Sequence, residues 1–447
     1  MGPVRDTIFA QSSGAGRAGV AIVRISGPTA GDTLKTFCRV LPNPRHATRA
    51  RLNDPATGET LDDALVLWFP APASFTGEDV AEFHLHGGRA VIAGVLDALS
   101  RLDGTRPAEP GEFTRRAFEN DKLDLTAAEG LADLIDAETE AQRRQALRQS
   151  EGALAALYDR WRTRLTESLA HFEAEIDFAD EDLPPALQKA ALETVSALVS
   201  EIRDHLADGE RGERLREGLS VAIVGAPNVG KSSLLNAIAR REAAIVAETA
   251  GTTRDIVEVH LDLNGLPVNV ADTAGLRRVD PLVGDQIEAE GVRRALKRAE
   301  NADLKIVVFE IGHSSNADIR TQIDGNAIVV VNKIDTNSTD VPKEIEGQQT
   351  IAVSALTGIG IPMLLDRLTD EVSRRLAVSG GPVLTRARHR LALEDCREAL
   401  ERACAGASAE LIAEDLRLAT RALGRLTGRV DVEDLLDVIF RDFCIGK

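Results

Sequence analysis

The first 120 residues alternate short apolar runs with turn-forming residues. Apolar, β-branched stretches cover residues 20–25, 64–69 and 80–85, and clusters rich in Pro and Gly, such as GPTAG, PNP and DPATGET, separate them. An apolar pattern of helical period follows at residues 90–102. The pattern predicts a mixed α/β domain over residues 1–120.

From residue 121 the apolar positions change to a helical period. One stripe steps by three or four residues and is broken at Pro184-Pro185 before a second stripe begins. Residues after 386 return to the same helical pattern. We therefore predict core helices of a bundle in two halves, at residues 121–215 and 381–447. The two stripes consist of Leu154, Leu157, Trp161, Leu165, Leu169, Phe172 and Ile176, and of Leu192, Val195, Val199, Ile202 and Leu206.

Between the helical halves, residues 216–380 have an α/β pattern. LSVAIVG, LKIVVFE and NAIVVVNK are predicted as buried strands. VEVHLDL and LPVNVAD flank Asn264-Gly265, which is a strong hairpin signal. The pattern predicts one helical domain that is interrupted by an α/β domain. Its two halves would then move when the inserted domain changes state.

Composition and charge narrow the class of protein. The 447 residues favour about three domains, and 43% are hydrophobic, which is enough to build cores. The net charge of -18 argues against passive binding of nucleic acid, so any nucleic acid would need a local basic surface. No stretch approaches the roughly 18 apolar residues of a bilayer span. Without a signal peptide or a CxxC pair among the four cysteines, we expect a cytoplasmic protein with reduced thiols and no membrane anchor.

GAPNVGKS, residues 225–232, follows a predicted strand and opens a predicted helix. It has the G-x-x-x-x-G-K-S spacing of a phosphate loop, whose glycines let backbone N–H groups surround phosphates at the positive end of a helix. We expect Lys231 to contact the β- and γ-phosphates and Ser232 to bind Mg²⁺. The nucleotide-binding residues expected here are Asn228, Val229, Gly230, Lys231, Ser232 and Ser233.

Three further motifs, DTAG, NKID and SAL, follow the phosphate loop in order. Asp272 ends a predicted strand, where its carboxylate can hold Mg²⁺ through water, and Gly275 can sense the γ-phosphate. Asp335 can accept hydrogen bonds from the N1–H and the exocyclic amine of guanine, which adenine does not offer. The sequence therefore predicts a GTPase rather than an ATPase. The expected contacts are Asp272, Thr273, Ala274 and Gly275, then Asn332, Lys333 and Asp335, and finally Ser354, Ala355 and Leu356.

GTTRD, residues 251–255, lies between the phosphate loop and the hairpin. Thr253 can complete the Mg²⁺ shell in the GTP state, which makes this segment a switch that hydrolysis releases. After DTAG comes Leu276, where Ras-like enzymes have a glutamine that orients the attacking water. Leucine cannot do so, hence hydrolysis is very slow or another group positions the water. The residues alone leave four candidates: Asp280, Asp285, Glu288 and Glu290.

Six segments together resemble one protein family. They are RISGP, PGEFTRRAFENDKLDLTAAEG, GAPNVGKSSLLNAI, AGTTRD, DTAGLR and CIGK. They resemble the tRNA modification GTPases of the MnmE (TrmE) family along the whole chain. The resemblance implies a multidomain fold of α/β and all-α parts. It implies an N-terminal tetrahydrofolate-binding and dimerisation domain at 1–120, a discontinuous helical domain at 121–215 and 381–447, and an inserted Ras-like P-loop GTPase domain at 216–380.

The resemblance also implies an activity and partners. It implies a homodimer whose GTPase domains meet across their phosphate faces with the help of K⁺. This dimer would work with MnmG, an FAD-dependent protein. Together they would add an aminomethyl or carboxymethylaminomethyl group to carbon five of the wobble uridine in certain tRNAs. A formyl- or methylene-tetrahydrofolate would supply the one-carbon unit.

The family's motifs imply further residues of the GTPase site. Asn228, the backbone carbonyls of Ala247 and Thr249, and Thr252 would bind K⁺, which supplies the positive charge that an arginine finger gives elsewhere. Glu288 aligns with the family's water-orienting glutamate and is a candidate catalytic residue, with Glu290 as its competitor. The same loop extends the GTP-binding set by Ala247, Glu248, Thr249, Ala250, Gly251, Thr252 and Thr253.

The resemblance implies a folate site as well. Its residues would be Arg24, Glu82, Lys122 and Lys447, whose charges suit the pterin edge and the glutamate tail of a folate. Cys444 lies nearby in sequence, in RDFCIGK. The residues after it do not fit a prenylation box, while a buried structural thiol stays an alternative. The resemblance favours a candidate catalytic thiol delivered to the folate pocket.

The sequence departs from the family's pattern at HLHGG, which stands where related proteins more often read QGHGG, and at residues 311–326, a short polar stretch where the GTPase domain would be trimmed. His84 and His86 lie two apart, on one face of a strand, and two histidines make a poor metal site, so we expect a local structural role.

Two other functions share the nucleotide motifs. One is a ribosome-assembly or translation GTPase that switches without one-carbon chemistry. CIGK, PGEFTRRAF and the lack of a recognisable RNA-binding module such as KH disfavour it. The other is a folate-binding protein whose GTPase domain is only regulatory.

Overall fold

The computed structural model describes residues 6–178, 185–241, 244–245, 258–272, 301–312, 317–336, 341–377, 381–406, 408–430, 433–441 and 443–446. The chain forms two compact units. The first contains Met1–Ala132, Gln149–Arg162 and Thr420–Lys447, and the second contains Asp133–Arg148 and Thr163–Ala419. Across the described ranges, every helix is too short or too polar to cross a lipid bilayer.

The strands and helices are numbered in chain order. The strands are β1 Thr7–Gln11, β2 Ala18–Ser26, β3 Thr48–Asn53, β4 Thr60–Phe69, β5 Val80–Gly87, β6 Thr105–Pro107, β7 Leu219–Gly225, β8 Ala244–Ile245, β9 Glu258–Leu263, β10 Leu266–Asp272, β11 Leu304–Glu310, β12 Ala327–Asn332, β13 Glu344–Ile345 and β14 Gln348–Ala352. The helices are α1 Ala30–Cys38, α2 Arg89–Ser100, α3 Glu112–Glu119, α4 Leu125–Asp136, α5 Glu140–Ser150, α6 Ala153–Asp177, α7 Pro185–Glu217, α8 Lys231–Arg241, α9 Ala317–Arg320, α10 Ile361–Leu376, α11 Ala387–Ala405, α12 Ala409–Thr427 and α13 Glu433–Arg441.

The first unit contains a six-stranded sheet in the order β3-β4-β5-β2-β1-β6. Helices α1 and α2 cover one face, where the rings of Phe37 and Phe83 lie 5.4 Å apart in a buried apolar cluster. The predicted runs at 20–25, 64–69 and 80–85 lie in β2, β4 and β5, so the mixed α/β prediction is confirmed. Because side chains alternate along a strand, the polar residues between these apolar positions face the other side of the sheet.

Helix α3 begins in the PGEF motif and contributes to a buried polar network. Arg116 donates to Glu78 Oε2 at 3.0 Å, to Glu112 Oε1 at 2.9 Å and to the carbonyl of Asp6 at 2.9 Å. Arg106 binds both carboxylate oxygens of Glu112. Burial alone would raise the pKa of Glu112, but hydrogen bonds from Arg106, Arg116 and a backbone N–H outweigh it, so the pKa is lowered. The network therefore holds the Glu112 carboxylate in its charged form and places Arg116 between the carboxylates of Glu78 and Glu112.

Replacing Arg116 with alanine is expected to destabilise the first unit by about 3 to 5 kcal/mol. The Arg116 side chain is only 5% exposed, and its removal takes away a buried positive charge that pairs with both Glu78 and Glu112. Both tryptophans, Trp68 and Trp161, lie in this unit, so fluorescence-detected urea unfolding reports on it. Arg115→Ala is the matched control, because that guanidinium is 36% exposed and its surface ion pairs contribute about 1 kcal/mol or less. Equal losses in the free energy of unfolding for the two variants would contradict a stabilising role of the buried network.

The second unit contains an eight-stranded sheet in the order β13-β14-β12-β11-β7-β10-β9-β8. Strands β14, β12, β11, β7 and β10 are parallel neighbours, so their carboxyl ends share one edge. Strands β9 and β10 form the predicted hairpin. Asn264 and Gly265 have φ of 53° and 85°, as a type I′ turn requires. The hairpin prediction is therefore confirmed.

The chain enters and leaves this α/β part at neighbouring points. At the end of α7, Arg216 donates to Asp133 Oδ1 at 2.9 Å, and just before α11, Arg386 donates to the same oxygen at 2.7 Å. A Cβ on Gly212 of α7 would lie 1.9 Å from the carbonyl oxygen of Leu384, so only glycine fits there. The carboxylate of Asp133 and the close approach of Gly212 to Leu384 thus help to hold the outgoing and returning segments together.

Candidate functional site

The phosphate loop joins β7 to α8 as the sequence predicts. Gly230 has φ of 95°, and a Cβ there would lie 2.5 Å from the side-chain nitrogen of Asn332. Lys231, the first residue of α8, is 7% exposed and donates to the carbonyls of Gly225 and Ala226 at 2.9 and 3.0 Å. The lysine is therefore folded over its own loop, within reach of any phosphate the loop would bind.

Two oxygen-bearing side chains meet beside this loop. Ser232 Oγ lies 2.5 Å from Asp272 Oδ2, at the carboxyl end of β10. Asp272 is 2% exposed. The hydroxyl oxygen could bind Mg²⁺ directly and the carboxylate beside it could hold the ion through a water molecule, while nucleotide phosphates would complete the shell. No cluster of three or more His, Cys, Asp or Glu side chains suited to a metal occurs in the described part of the chain.

The predicted base-binding motifs are joined directly to the phosphate loop. Asn332 donates from Nδ2 to the carbonyl of Val229 at 2.8 Å and accepts at Oδ1 from the backbone N–H of Ala355 at 3.0 Å. Ser354 Oγ donates to Asp335 Oδ1 at 2.5 Å. One asparagine therefore ties the phosphate end of the site to the base end, and one buried serine orients the carboxylate expected to read guanine.

The remaining residues of the two late motifs are more exposed. Lys333 has φ of 65°, and its Nζ lies 2.9 Å from Glu310 Oε1. Leu356 is 85% exposed. Helix α8 continues from Ser233, and Asn228 has φ of 66° at the turn of the phosphate loop. The structure thus brings the described GTP-binding candidates together along one edge of the sheet.

The first unit carries a second polar group on the face of its sheet that lies opposite α1 and α2. Arg24 on β2 lies directly opposite Glu82 on β5, and its Nε and Nη2 lie 3.0 and 2.9 Å from Glu82 Oε1. The guanidinium also lies over the rings of Phe75 and Phe113, at 5.3 and 5.8 Å from their centroids. Beside this pair is a cavity of about 340 Å³, lined by Arg45, Phe69, Ala73, Ser74, Phe75, Val80 and Glu82.

The last described residues dock on this same unit. Ile445 forms an antiparallel bridge with Pro110, and Ser12 Oγ donates to the carbonyl of Gly446 at 2.7 Å. A Cβ on Gly446 would lie 2.1 Å from the carbonyl oxygen of Gln11, and its φ is 96°, so glycine is required there. Cys444 is exposed and is not part of a disulfide. The buried-thiol alternative is therefore wrong for this residue.

Comparisons with known proteins agree along the whole chain. Residues 7–122 match the model of the GTP-binding protein TrmE N-terminus, and residues 125–444 match that of the MnmE helical domain. The tRNA modification GTPase MnmE of Rhodospirillum rubrum is 57% identical over 99% of both chains, and that of Parvibaculum lavamentivorans is 58% identical over 99% of this chain and all of its own. This chain belongs to the tRNA modification GTPase MnmE family. It is a GTP hydrolase that acts in tRNA modification.

Among solved structures, the G domain of the FeoB iron transporter from T. maritima is similar to part of this MnmE family member. It is 23% identical, covers 36% of this chain and 99% of its own, and has a TM-score of 0.25.

Several predicted MnmE site residues lie outside the described residues. They are Ala247, Glu248, Thr249, Ala250, Gly251, Thr252, Thr253, Thr273, Ala274, Gly275, Glu288 and Lys447. Of the folate candidates, Lys122 is exposed. Its side chain lies next to Gly77, so that a Cβ added at Gly77 would be 3.2 Å from Lys122 Cε. Sequence reasoning missed the contact of Asn332 with Val229 and the aromatic partners of Arg24. The first joins residues 103 positions apart, which no local pattern reveals.

Proposed function

We propose that this protein is a K⁺-activated GTPase that acts as a cytoplasmic homodimer with the FAD-dependent protein MnmG. Together they add an aminomethyl or carboxymethylaminomethyl group to carbon five of the wobble uridine in certain tRNAs, with a one-carbon unit from a tetrahydrofolate derivative. One observation carries the proposal. The chain combines a complete phosphate loop and guanine-reading motif with a separate carboxylate–guanidinium pair, Arg24 and Glu82, beside a cavity with aromatic walls.

At the nucleotide site, we assign each group a task in GTP hydrolysis. Lys231 and the loop N–H groups bind the phosphates, Ser232 and Thr253 bind Mg²⁺ and Asp272 holds its water shell. Asp335 reads guanine, with Ser354 fixing one of its oxygens. These residues orient the nucleotide within the proposed GTPase domain at 216–380, between the helical halves at 121–215 and 381–447.

At the second site, the side chains present fit a reduced folate. A carboxylate can accept from the N–H groups of a pterin, and the rings of Phe69 and Phe75 offer apolar walls for a flat heterocycle. The bound folate would supply the one-carbon unit. We propose that Arg24, Glu82, Lys122 and Lys447 bind it within the proposed domain at 1–120, and that Cys444 acts on the reacting groups.

The wobble nucleosides of a strain that lacks this protein test the proposal. Mass spectrometry of its tRNA hydrolysates is expected to show unmodified wobble uridine, and a plasmid copy of the gene is expected to restore the modified form. A translation or ribosome-assembly GTPase would instead alter ribosome profiles and leave wobble uridine modified. Normal modification in the deleted strain would overturn the proposal.

GTP hydrolysis by the purified protein is expected to be at least tenfold faster in KCl than in NaCl at equal ionic strength, because K⁺ stabilises transition-state charge.

Glu288→Ala should retain GTP affinity and lose most turnover, since only the attacking water loses the base that orients it. Glu290→Ala is the matched control and should keep its turnover. Equal rates in the two salts would remove the proposed K⁺ site, and an active Glu288 variant would remove the proposed base.

A further inference from the structure

His84 belongs to the same polar group as Arg24 and Glu82. It lies two residues after Glu82 on β5, so both side chains leave the same face of the sheet. Its Nε2 lies 3.3 Å from Glu82 Oε2, whereas Arg24 contacts only Oε1. The three side chains are 15 to 25% exposed, so each keeps some contact with solvent.

The hydrogen-bond pattern assigns the proton on His84. An ionised carboxylate can only accept, so Nε2 of His84 must be the donor and carry hydrogen. In the neutral imidazole, Nδ1 is then the acceptor. Glu82 would thus accept one hydrogen bond at Oε1, from Arg24 Nε, and one at Oε2, from His84, while Arg24 Nη2 forms an ion pair with Oε1. Of its roughly four acceptor positions, one on Oε2 stays available.

The two partners of Glu82 restrict it in different ways. Because both Arg24 contacts converge on Oε1, they fix one atom but leave rotation about the terminal torsion, which is intrinsically broad for a carboxylate. The contact of His84 with Oε2 fixes the second oxygen and therefore the plane. Glu82 also lines the 340 Å³ cavity, so the orientation of its plane decides what the open acceptor position faces.

We propose that His84 is a positioning residue of the folate site, which holds the Glu82 carboxylate in the orientation that binds an N–H donor of the pterin. The proposal rests on the folate binding proposed above. The reason is geometric. The plane of the Glu82 carboxylate is already fixed before a ligand binds, so binding does not include the entropic cost of ordering that side chain. A glutamine at this position can supply an equivalent N–H donor.

The second histidine of the strand, His86, contacts a different carboxylate and therefore does not share the role proposed for His84. It lies on the same strand face, two residues further on, but its Nδ1 contacts Asp62 Oδ1 at 2.8 Å and its side chain is 70% exposed. Asp62 lies on β4 and does not line the cavity. His86→Ala therefore changes the same residue type on the same strand without touching Glu82, and it is the matched control.

The binding test uses the full-length protein and 5-formyl-tetrahydrofolate as probe, measured by isothermal titration calorimetry. His84→Ala is expected to raise Kd about tenfold, the equivalent of one hydrogen bond to a charged group. His84→Gln should stay within about threefold of the original protein, and His86→Ala should match it. GTP hydrolysis, measured in parallel, should be unchanged in all three variants. Unchanged affinity in His84→Ala, or equal losses in the alanine and glutamine variants, would overturn the proposal.

A second measurement separates this proposal from the folate function. Nitrogen NMR of histidine-labelled protein should show His84 as the Nε2–H tautomer, and Glu82→Gln should disturb that signal but not the signal of His86. A protein that fails to bind the probe at all would overturn the folate function, and with it the role of His84 in affinity. An Nδ1–H tautomer would overturn the positioning contact even if folate binds.

Discussion

Replacing Asp335 with asparagine is expected to weaken GTP binding by about 10⁴-fold, the penalty typical of a site whose buried polar group meets the wrong partner. Asparagine cannot accept hydrogen bonds from both the N1–H and the exocyclic amine of guanine. Its amide NH₂ would instead face one of these N–H groups, so that two donors oppose each other. Ser354 holds the carboxylate at 2.5 Å, so the side chain cannot turn freely to avoid the clash. Titration with a fluorescent GTP analogue measures the loss.

The same variant should gain affinity for xanthosine triphosphate, whose carbonyl at position two accepts from the asparagine amide. This gain distinguishes a change of specificity from damage to the fold. Asp366→Asn is the matched control, because this exposed carboxyl on α10 has no proposed part in the site. An Asp335→Asn protein that binds GTP as before would show that another group reads the base.

Cys444→Ser is expected to abolish wobble-uridine modification and leave GTP hydrolysis unchanged. The tail is held by the bridge of Ile445 with Pro110 and by the bond from Ser12 to Gly446, neither of which uses the thiol. Serine therefore keeps the tail in place and changes only the chemistry, because a hydroxyl does not form an anionic nucleophile as a thiol does near neutral pH. Complementation of the deleted strain, read by nucleoside mass spectrometry, measures the loss.

The matched control is Cys404→Ser, which alters another exposed thiol, near the end of α11. It should restore modification fully. If the Cys444 variant also restores modification, the thiol has no chemical role. If it loses GTP hydrolysis as well, the change has damaged the protein as a whole.

Local patterns in the sequence predicted the elements that depend on local rules. The Asn264-Gly265 turn, the phosphate loop between β7 and α8, and the break before Pro185 all follow from conformational preferences of a few adjacent residues. The strands β1, β3 and β6 were not predicted, since they are short and their stability comes from pairing with distant partners. Helix α3 was not predicted either, because its sequence carries mostly polar and charged residues.

The candidate sites divide along the same line. Motif order predicted which of the described residues lie together at one edge of the sheet, because parallel strands bring their carboxyl ends to the same edge. The pairing of Arg24 with Glu82 depends on the register of β2 against β5, which the sequence leaves open. The contact of His84 with Glu82 lies within one strand but depends on side-chain rotamers, which the sequence also leaves open.

The shared contacts of Arg216 and Arg386 with Asp133 have a consequence for how such a chain could arise. A polypeptide that departs from a helical framework and rejoins it at one point can acquire a folded insert without rebuilding the framework. By the same logic, a linker of a few residues could replace the insert in an engineered version. The carboxylate of Asp133 thus lies at the junction where a nucleotide-binding domain could be inserted into a helical domain in evolution, or removed from it in the laboratory.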